Sequence, residues 1–200
     1  MRVAAVVLAA GKSSRMGRNK LLLEVEGRTI LDRILDAVKA SAGDEAVVVL
    51  GHDPGSIRPI VEAHGVSTVL NPEHEKGMTS SFQAGLREVT ADAAFLVLGD
   101  QLGLEPALLD EMVELMVSDP GALIISPVHD GRRGHPVLFR RSLFHEILSL
   151  GEGETMKDIV LRHEEDHKSV RGSMWCTMDI DTPEDFERAV RLFDASHAWP

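Results

Sequence analysis

The chain has 200 residues and a mass of 21.8 kDa, the size of one ordinary domain. Its 21 Lys and Arg against 32 Asp and Glu give a net charge of −11, which disfavours nucleic acids and anionic lipid surfaces as partners. A single cysteine, Cys176, excludes an internal disulfide and a multi-cysteine zinc site. The apolar run over residues 3–10 is too short to cross a bilayer, so we expect a cytoplasmic protein with no membrane partner.

Short apolar runs alternate with longer amphipathic segments along most of the chain. The continuous runs predict strands at Val3–Leu8, Ala46–Leu50, Ser67–Leu70, Ala93–Leu98 and Ala122–Ser126. Apolar residues three and four apart predict helices at Arg28–Ala40, Pro54–Ala63, Ser80–Val89 and Pro106–Val117. This alternation indicates the α/β class, with residues 1–200 forming a single three-layer domain around a mostly parallel, Rossmann-like sheet.

The pattern changes after Pro127. Two short apolar stretches flank a glycine-rich turn in Val128–Phe139, which predicts an inserted hairpin region. Further elements are predicted in chain order: helices Ser142–Leu150 and Thr155–His163, strand Trp175–Ile180, and a last helix beginning at Pro183 with Thr182 as its cap. His163 and His167 are four residues apart, but they lie among charged residues, so we interpret this stretch as solvated rather than as a zinc site.

The segment after the first predicted strand combines small and basic residues, and it reads Leu8-Ala9-Ala10-Gly11-Lys12-Ser13-Ser14-Arg15-Met16-Gly17-Arg18-Asn19-Lys20. Small residues let backbone N–H groups approach phosphate oxygens, and basic side chains neutralise their charge. Neither a Walker A loop nor a dinucleotide fingerprint fits, because Val6 and Ser13 stand where those motifs need glycine. The segment therefore predicts a triphosphate site, with a solvated basic loop as the alternative.

Carboxylates follow two of the predicted strands. Asp100 comes at the carboxyl end of a central strand, where open α/β sheets bind ligands, and Mg²⁺ favours such an oxygen ligand. Strand alternation would place Asp179 and Asp181 on one side, so either could complete the metal shell. We prefer Asp181, next to the last helix. The alternatives are that Asp100 caps the helix near Pro106 and that Asp181 is a structural cap.

Two further segments carry candidate binding groups. Asn71, Gly77, Met78, Ser80 and Ser81 gather N–H groups and hydroxyls at a predicted helix start, where a nucleobase edge could be read, although the serines could simply cap that helix. The segment Gly131-Arg132-Arg133-Gly134-His135-Pro136 could clamp an acceptor phosphate, with a plain β-turn as the alternative.

These segments resemble the molybdenum cofactor cytidylyltransferase-like nucleotidyltransferases. Residues 8–20 match L-A-[AG]-G-x-[SG]-x-R-M-G-x-x-K, and residues 71–86 match N-P-x-x-x-x-G-M-x-x-S-x-x-x-G-L. Residues 131–139 match G-x-x-G-H-P-V-L-F, and residues 179–185 match D-I-D-T-P-E-D. The resemblance covers residues 3 to about 190.

The resemblance implies the nucleotide-diphospho-sugar transferase fold and Mg²⁺-dependent transfer of CMP from CTP to the phosphate of molybdopterin, with release of pyrophosphate. It implies catalytic roles for Arg15, Lys20 and Asp100. The remaining implied contacts fall into three groups: nucleotide binding by Leu8, Ala9, Ala10, Gly11, Lys12, Ser13, Ser14, Asn71, Gly77, Met78, Ser80 and Ser81; acceptor binding by Gly134, His135 and Pro136; and metal binding by Asp100 and Asp181.

The chain departs from the family pattern at two places. Leu102 stands where a proline is common, and Gly151–Lys157 lacks an arginine that is usual in this branch. GTP as the donor, or a sugar or polyol phosphate as the acceptor, therefore stays open, although Ala10 and the Gly134–Pro136 segment favour CTP and molybdopterin. A non-catalytic carrier that delivers the molybdenum cofactor to a molybdenum hydroxylase client is the alternative from another functional class.

Overall fold

A mostly parallel sheet runs through the centre of the computed structural model, which describes residues 1–41 and 43–197. The strands in chain order are β1 (Val3–Ala9), β2 (Glu24–Val25), β3 (Arg28–Thr29), β4 (Glu45–Leu50), β5 (Ser67–Leu70), β6 (Ala93–Leu98), β7 (Ile124–His129), β8 (Arg132–Arg133), β9 (Val137–Arg140) and β10 (His167–Arg171). The main sheet has the order β10-β7-β9-β6-β1-β4-β5, with β8 paired to β7. β2 and β3 form a separate hairpin.

The register of the central strands decides where the loops meet. β1 pairs in parallel with both β4 and β6, and Leu8 lies opposite Leu98. Because the carboxyl ends of parallel strands share one edge, the loop that begins at Gly11 lies beside Asp100. β9 runs antiparallel between β6 and β7, so the predicted hairpin region contributes a strand to the middle of the sheet.

Helices cover both faces of this sheet. They are α1 (Ile30–Ala40), α2 (Pro54–Ala63), α3 (Met78–Leu86), α4 (Pro106–Ser118), α5 (Phe144–Leu148), α6 (Met156–Arg162) and α7 (Pro183–His197). Apolar residues of α1, α2, α4 and α7 pack in one core cluster, and those of α3, α5 and α6 pack in the other. The predicted three-layer α/β architecture is therefore confirmed. No helix in the described ranges combines the length and apolarity needed to cross a membrane.

Reciprocal side-chain caps fix the starts of α1 and α7. The Thr29 hydroxyl accepts a hydrogen bond from Asp32 N at 3.0 Å, and the Asp32 carboxylate accepts one from Thr29 N at 3.3 Å. This reciprocal cap starts α1 two residues later than predicted. The same arrangement joins Thr182 and Asp185, at 3.2 and 3.1 Å, so the predicted cap of α7 is confirmed, with Pro183 in the first position.

The last strand was predicted in the wrong place. Residues Trp175–Ile180 form no strand; Met174–Thr177 make a 3₁₀ turn, and the strand is β10, beginning at His167. The Trp175 ring packs beneath Gly103, where a Cβ would meet the ring, and its centroid lies 5.8 Å from that of Phe193. The apolar side chains of this segment thus pack into the core from a 3₁₀ turn and not from a strand.

His167 is buried, contrary to the prediction of a solvated stretch. His167 lies on β10 and is 7% exposed, and its Nε2 lies 2.8 Å from Ser126 Oγ on β7. Of the charged residues nearby, Glu164 and Glu165 are exposed and Asp166 and Lys168 are half-buried, which is why the surrounding sequence looks uniformly polar.

Candidate active site

A pocket of 290 Å³ lies where β1 and β6 end, and we call it the inner pocket. It is lined by Leu8, Ala10, Gly11, Ser13, Lys20, Leu21, His74, Gly77, Met78, Ser81, Leu98 and Asp100. Most of these residues were predicted as site residues from the sequence, whereas Leu21, His74 and Leu98 were not. Ala9, also predicted, is buried at the end of β1 and does not line this pocket.

The glycine-rich loop is folded in a fixed path. Ser13 has a left-handed backbone with φ of 49°, and a short 3₁₀ turn over Ser14–Met16 ends at Gly17, with φ of 67°. Met16 is buried and anchors the turn. Ser13 Oγ accepts a hydrogen bond from Lys20 N at 3.2 Å, which closes the loop on itself. The loop therefore brings the Lys20 side chain to the inner pocket.

Lys20 holds two carboxylates together at the edge of the pocket. Its ammonium is ion-paired with Asp100, lies 3.4 Å from Asp181 Oδ1, and donates to the Ile180 carbonyl at 3.3 Å. The Lys20 and Asp100 side chains are 20% and 21% exposed. Burial of the ammonium opposes its charge, but Asp100 and Asp181 outweigh this effect and raise the pKa of Lys20. The lysine therefore stays charged.

Asp181 is shared with Arg15. The Arg15 guanidinium lies 3.0 Å from Asp181 Oδ2, and its own side chain is 70% exposed. The two predicted metal ligands, Asp100 and Asp181, thus meet around one cation. The strand alternation used to compare Asp179 with Asp181 does not apply, because no strand is present there. Among the described residues, no group of three or more His, Cys, Asp or Glu forms a ready-made metal site.

Asn71, Ser80 and Ser81 form a network at the start of α3. Asn71 is 4% exposed, and its Nδ2 donates to Ser80 Oγ at 3.0 Å and to Ser81 Oγ at 3.1 Å. Its Oδ1 accepts a hydrogen bond from Glu73 N at 3.0 Å. Asn71 therefore holds the helix start in place. Gly77, the residue before α3, provides no side-chain cap, so the helix start beside the pocket keeps free N–H groups.

Lys12 and Ser14 face away from the inner pocket. They line a second pocket of 530 Å³, the outer pocket, together with Ser13, Gly17, Arg18, Asn19, His52 and Asp53. Lys12 Nζ lies 2.5 Å from Glu75 Oε1, and this contact keeps the pKa of Glu75 below its usual range. The contact joins the glycine-rich loop to the segment before α3.

The segment predicted to bind the acceptor lies next to Asp100. Gln101 Nε2 donates to the His135 carbonyl at 2.5 Å, so the two loops are joined. Burial lowers the pKa of His135, and the opposing charges of Asp100 and Asp179 do not offset it. The Gly134 N–H donates to the Pro127 carbonyl at 2.9 Å, and Pro136 is buried. His135 is therefore a neutral imidazole near the carboxylate site.

Two polar atoms in this region are buried without a hydrogen-bond partner within the described part of the chain, namely Gln101 Oε1 and His135 Nδ1. Gln101 was not predicted as a site residue from the sequence. Its place directly after Asp100 was the available signal.

The chain is similar to several known nucleotidyltransferases. The model of a family described as MobA-like NTP transferase domain matches residues 5–167, a range that includes the glycine-rich loop and Asp100 but ends before Asp181. A molybdenum cofactor cytidylyltransferase of Escherichia coli (strain K12) is 28% identical over 191 residues, covering 94% of this chain and 95% of that protein. A probable molybdenum cofactor guanylyltransferase of Methanosarcina acetivorans is 26% identical over 208 residues, covering 93% and 89%.

A solved structure from Mycobacterium tuberculosis H37Rv, in complex with manganese, superposes with a TM-score of 0.79 at 26% identity, covering 96% of this chain and 99% of that one. The likeness extends over nearly the whole length of both chains. The site residues thus occupy a fold that the relatives share.

Proposed function

We propose that this chain, which belongs to the MobA-like NTP transferase family, transfers CMP from CTP to the phosphate of molybdopterin and releases pyrophosphate. The observation that carries the proposal is the Lys20 ammonium held between Asp100 and Asp181 at the edge of the inner pocket. The similarity to the molybdenum cofactor cytidylyltransferase of Escherichia coli supports the choice of donor and acceptor.

The inner pocket would hold the nucleoside triphosphate. Backbone N–H groups of the glycine-rich loop and of the α3 start face phosphate oxygens, and Lys20 exchanges its carboxylate partners for phosphate. Arg15 is exposed and reaches the same carboxylate cluster, so its guanidinium can fold over the phosphates. Ser81 and Met78 line the part of the pocket where the nucleoside would lie.

Asp100 and Asp181 suit Mg²⁺, because this ion is commonly bound by one or two carboxylates together with substrate phosphates and water. The same two side chains already surround one cation in the structure. When bound there, Mg²⁺ would offset charge on the phosphate oxygens. The manganese complex of the Mycobacterium tuberculosis relative supports a divalent cation.

The reaction needs no general base. An ionised oxygen of the acceptor phosphate attacks the α-phosphorus of CTP, a new P–O bond forms, and the bond from the α-phosphorus to the bridging oxygen breaks. Lys20 and Arg15 stabilise charge on the phosphates as pyrophosphate leaves. Gly134, His135 and Pro136 position the acceptor, with His135 neutral, so that it adds no cation of its own beside Asp100.

The purified protein, Mg²⁺, reduced molybdopterin and α-labelled CTP or GTP test the proposal. We expect label in the acceptor from CTP and an equal amount of pyrophosphate, with GTP much slower. Asp100→Asn should abolish turnover. No transfer from either nucleotide, with acceptor shown to be intact, would overturn the proposal and favour a cofactor carrier.

A matched pair of variants tests the second metal ligand. Asp181→Asn removes a carboxylate that contacts both Lys20 and Arg15, whereas the exposed Asp179 makes no ion pair among the described residues. We expect Asp181→Asn to raise the Mg²⁺ concentration needed for half-maximal rate and Asp179→Asn to leave it unchanged. The reverse result would assign the metal to Asp179.

A further inference from the structure

We infer that His74 distinguishes CTP from UTP by accepting a hydrogen bond from the amino group of the base, an inference that rests on the proposed function. His74 lines the inner pocket together with Lys20 and Asp100, yet it lies at an unspecified position of the 71–86 motif. The segment that carries it is fixed by Asn71, which also holds the start of α3.

The hydrogen bond made by His74 selects one tautomer. His74 Nδ1 lies 3.3 Å from the Asn71 backbone carbonyl, which can only accept, so Nδ1 carries the proton. In a neutral imidazole the other nitrogen, Nε2, is then an acceptor. Among the described residues, Nε2 has no hydrogen-bond partner.

A hydrogen-bond acceptor in the inner pocket distinguishes bases by their exocyclic groups. Cytosine offers a 4-amino donor, whereas uracil presents a carbonyl oxygen at the same position and would face the Nε2 lone pair. Guanine also carries an amino group, so His74 does not by itself decide between CTP and GTP. The geometry assigns His74 to the discrimination of CTP from UTP.

His52 provides the matched comparison. Its ring centroid is 6.2 Å from that of His74, but His52 lines the outer pocket and is absent from the inner one. If His74 acts only by packing against this ring, substitutions of the two histidines should have the same effect. If His74 reads the base, only its own substitution should change the preference among nucleotides.

Calorimetric titration of the whole chain with CTP and with UTP, each with Mg²⁺ and without acceptor, tests the inference. The wild type should bind CTP more tightly than UTP. His74→Phe keeps a ring but no acceptor and should weaken CTP binding about tenfold, the effect of one lost hydrogen bond, with UTP little changed. His74→Gln offers a carbonyl acceptor and should recover part of the preference. His52→Phe should leave both affinities unchanged.

Equal weakening of CTP and UTP by His74→Phe, no effect on either, or no nucleotide binding by the wild type would each overturn the inference. Thermal melts of the variants exclude misfolding as the cause. Transfer to molybdopterin is measured separately. A wild type that binds as expected but transfers nothing refutes only the proposed function, whereas active transfer with an unchanged CTP preference in His74→Phe refutes only the role of His74.

Discussion

The Lys20 ammonium contacts two partly buried carboxylates, Asp100 and Asp181, so its removal should destabilise the free protein. In Lys20→Met, Asp100 and Asp181 lose their shared partner and face each other at close range. We expect a loss of about 2 kcal/mol in the free energy of unfolding at pH 7, between the values typical of exposed and buried ion pairs. Urea denaturation measures it, and adding Asp100→Asn should restore part of the loss.

Lys12→Met is the control for this prediction. Lys12 also makes a short ion pair, with Glu75, but the two side chains are 50% and 69% exposed. Solvent screens such a pair, so we expect no measurable change in stability. Equal effects of the Lys20 and Lys12 substitutions would contradict the view that burial makes the Lys20 cluster important.

The residues that line the inner pocket were easiest to predict where they are contiguous in the chain. The glycine-rich loop carries its own chemistry, since phosphate binding needs small residues and basic side chains close together in the chain. The contact of Lys20 with Asp181 joins residues 161 positions apart, and only the fold brings them together. His74 was missed because a histidine between glutamates on a polar segment gives no local sign of facing a pocket.

At the scale of elements, strands with continuous apolar runs were predicted well, and the polar edge strand was not. β1, β4 and β6 are buried on both faces and leave an unmistakable pattern. β10 lies at the edge of the sheet and buries only His167 and Val170, so its sequence resembles a loop. The mirror error was at Trp175, where apolar side chains anchor a 3₁₀ turn rather than a strand.

The buried histidine of β10 makes the pairing of β10 with β7 sensitive to pH. Burial, helped by the nearby Arg133 cation and opposed by Glu164, lowers the pKa of His167 to about 4. The unfolded chain binds this proton near pH 6.5, whereas the folded chain binds it only near pH 4. The proton uptake of His167 therefore leaves the free energy of unfolding unchanged above pH 6.5 and lowers it by up to about 3 kcal/mol as the pH falls towards 4.

Urea denaturation at a series of pH values measures this loss. His167→Gln keeps a polar partner for Ser126 but cannot titrate, so its stability should fall less between pH 6.5 and 4. His135, whose pKa burial also lowers, leaves a residual slope in that variant. His145→Gln, at an exposed position on α5, is the control and should retain the full wild-type slope. Identical slopes in all three proteins would refute the assignment to His167.

At the scale of the molecule, net charge and local charge have different consequences. The net charge of −11 argues against long polyanions as partners. The segment from Lys12 to Lys20 is nevertheless basic, and its Lys20 contacts Asp100, one of the two carboxylates that would bind the metal ion. One nucleotide with its metal ion brings both signs of charge to this place. The chain can therefore be acidic overall and still bind a triphosphate.

The sheet also joins the two core clusters. We therefore expect a single unfolding transition, and bound ligand should raise its midpoint temperature without splitting it. Along β1, Val3, Ala5 and Val7 pack in one cluster while Ala4 and Val6 pack in the other, so neither cluster can melt without losing a shared strand. CTP with Mg²⁺ at about 100 times its dissociation constant should add about 2.7 kcal/mol, or about 5–10 °C in Tm. Calorimetry should give one peak that shifts without splitting. Asp100→Asn should remove most of this shift in Tm, because it lacks the carboxylate that would hold the metal beside the triphosphate. Two separate peaks would contradict a single cooperative domain over residues 1–200.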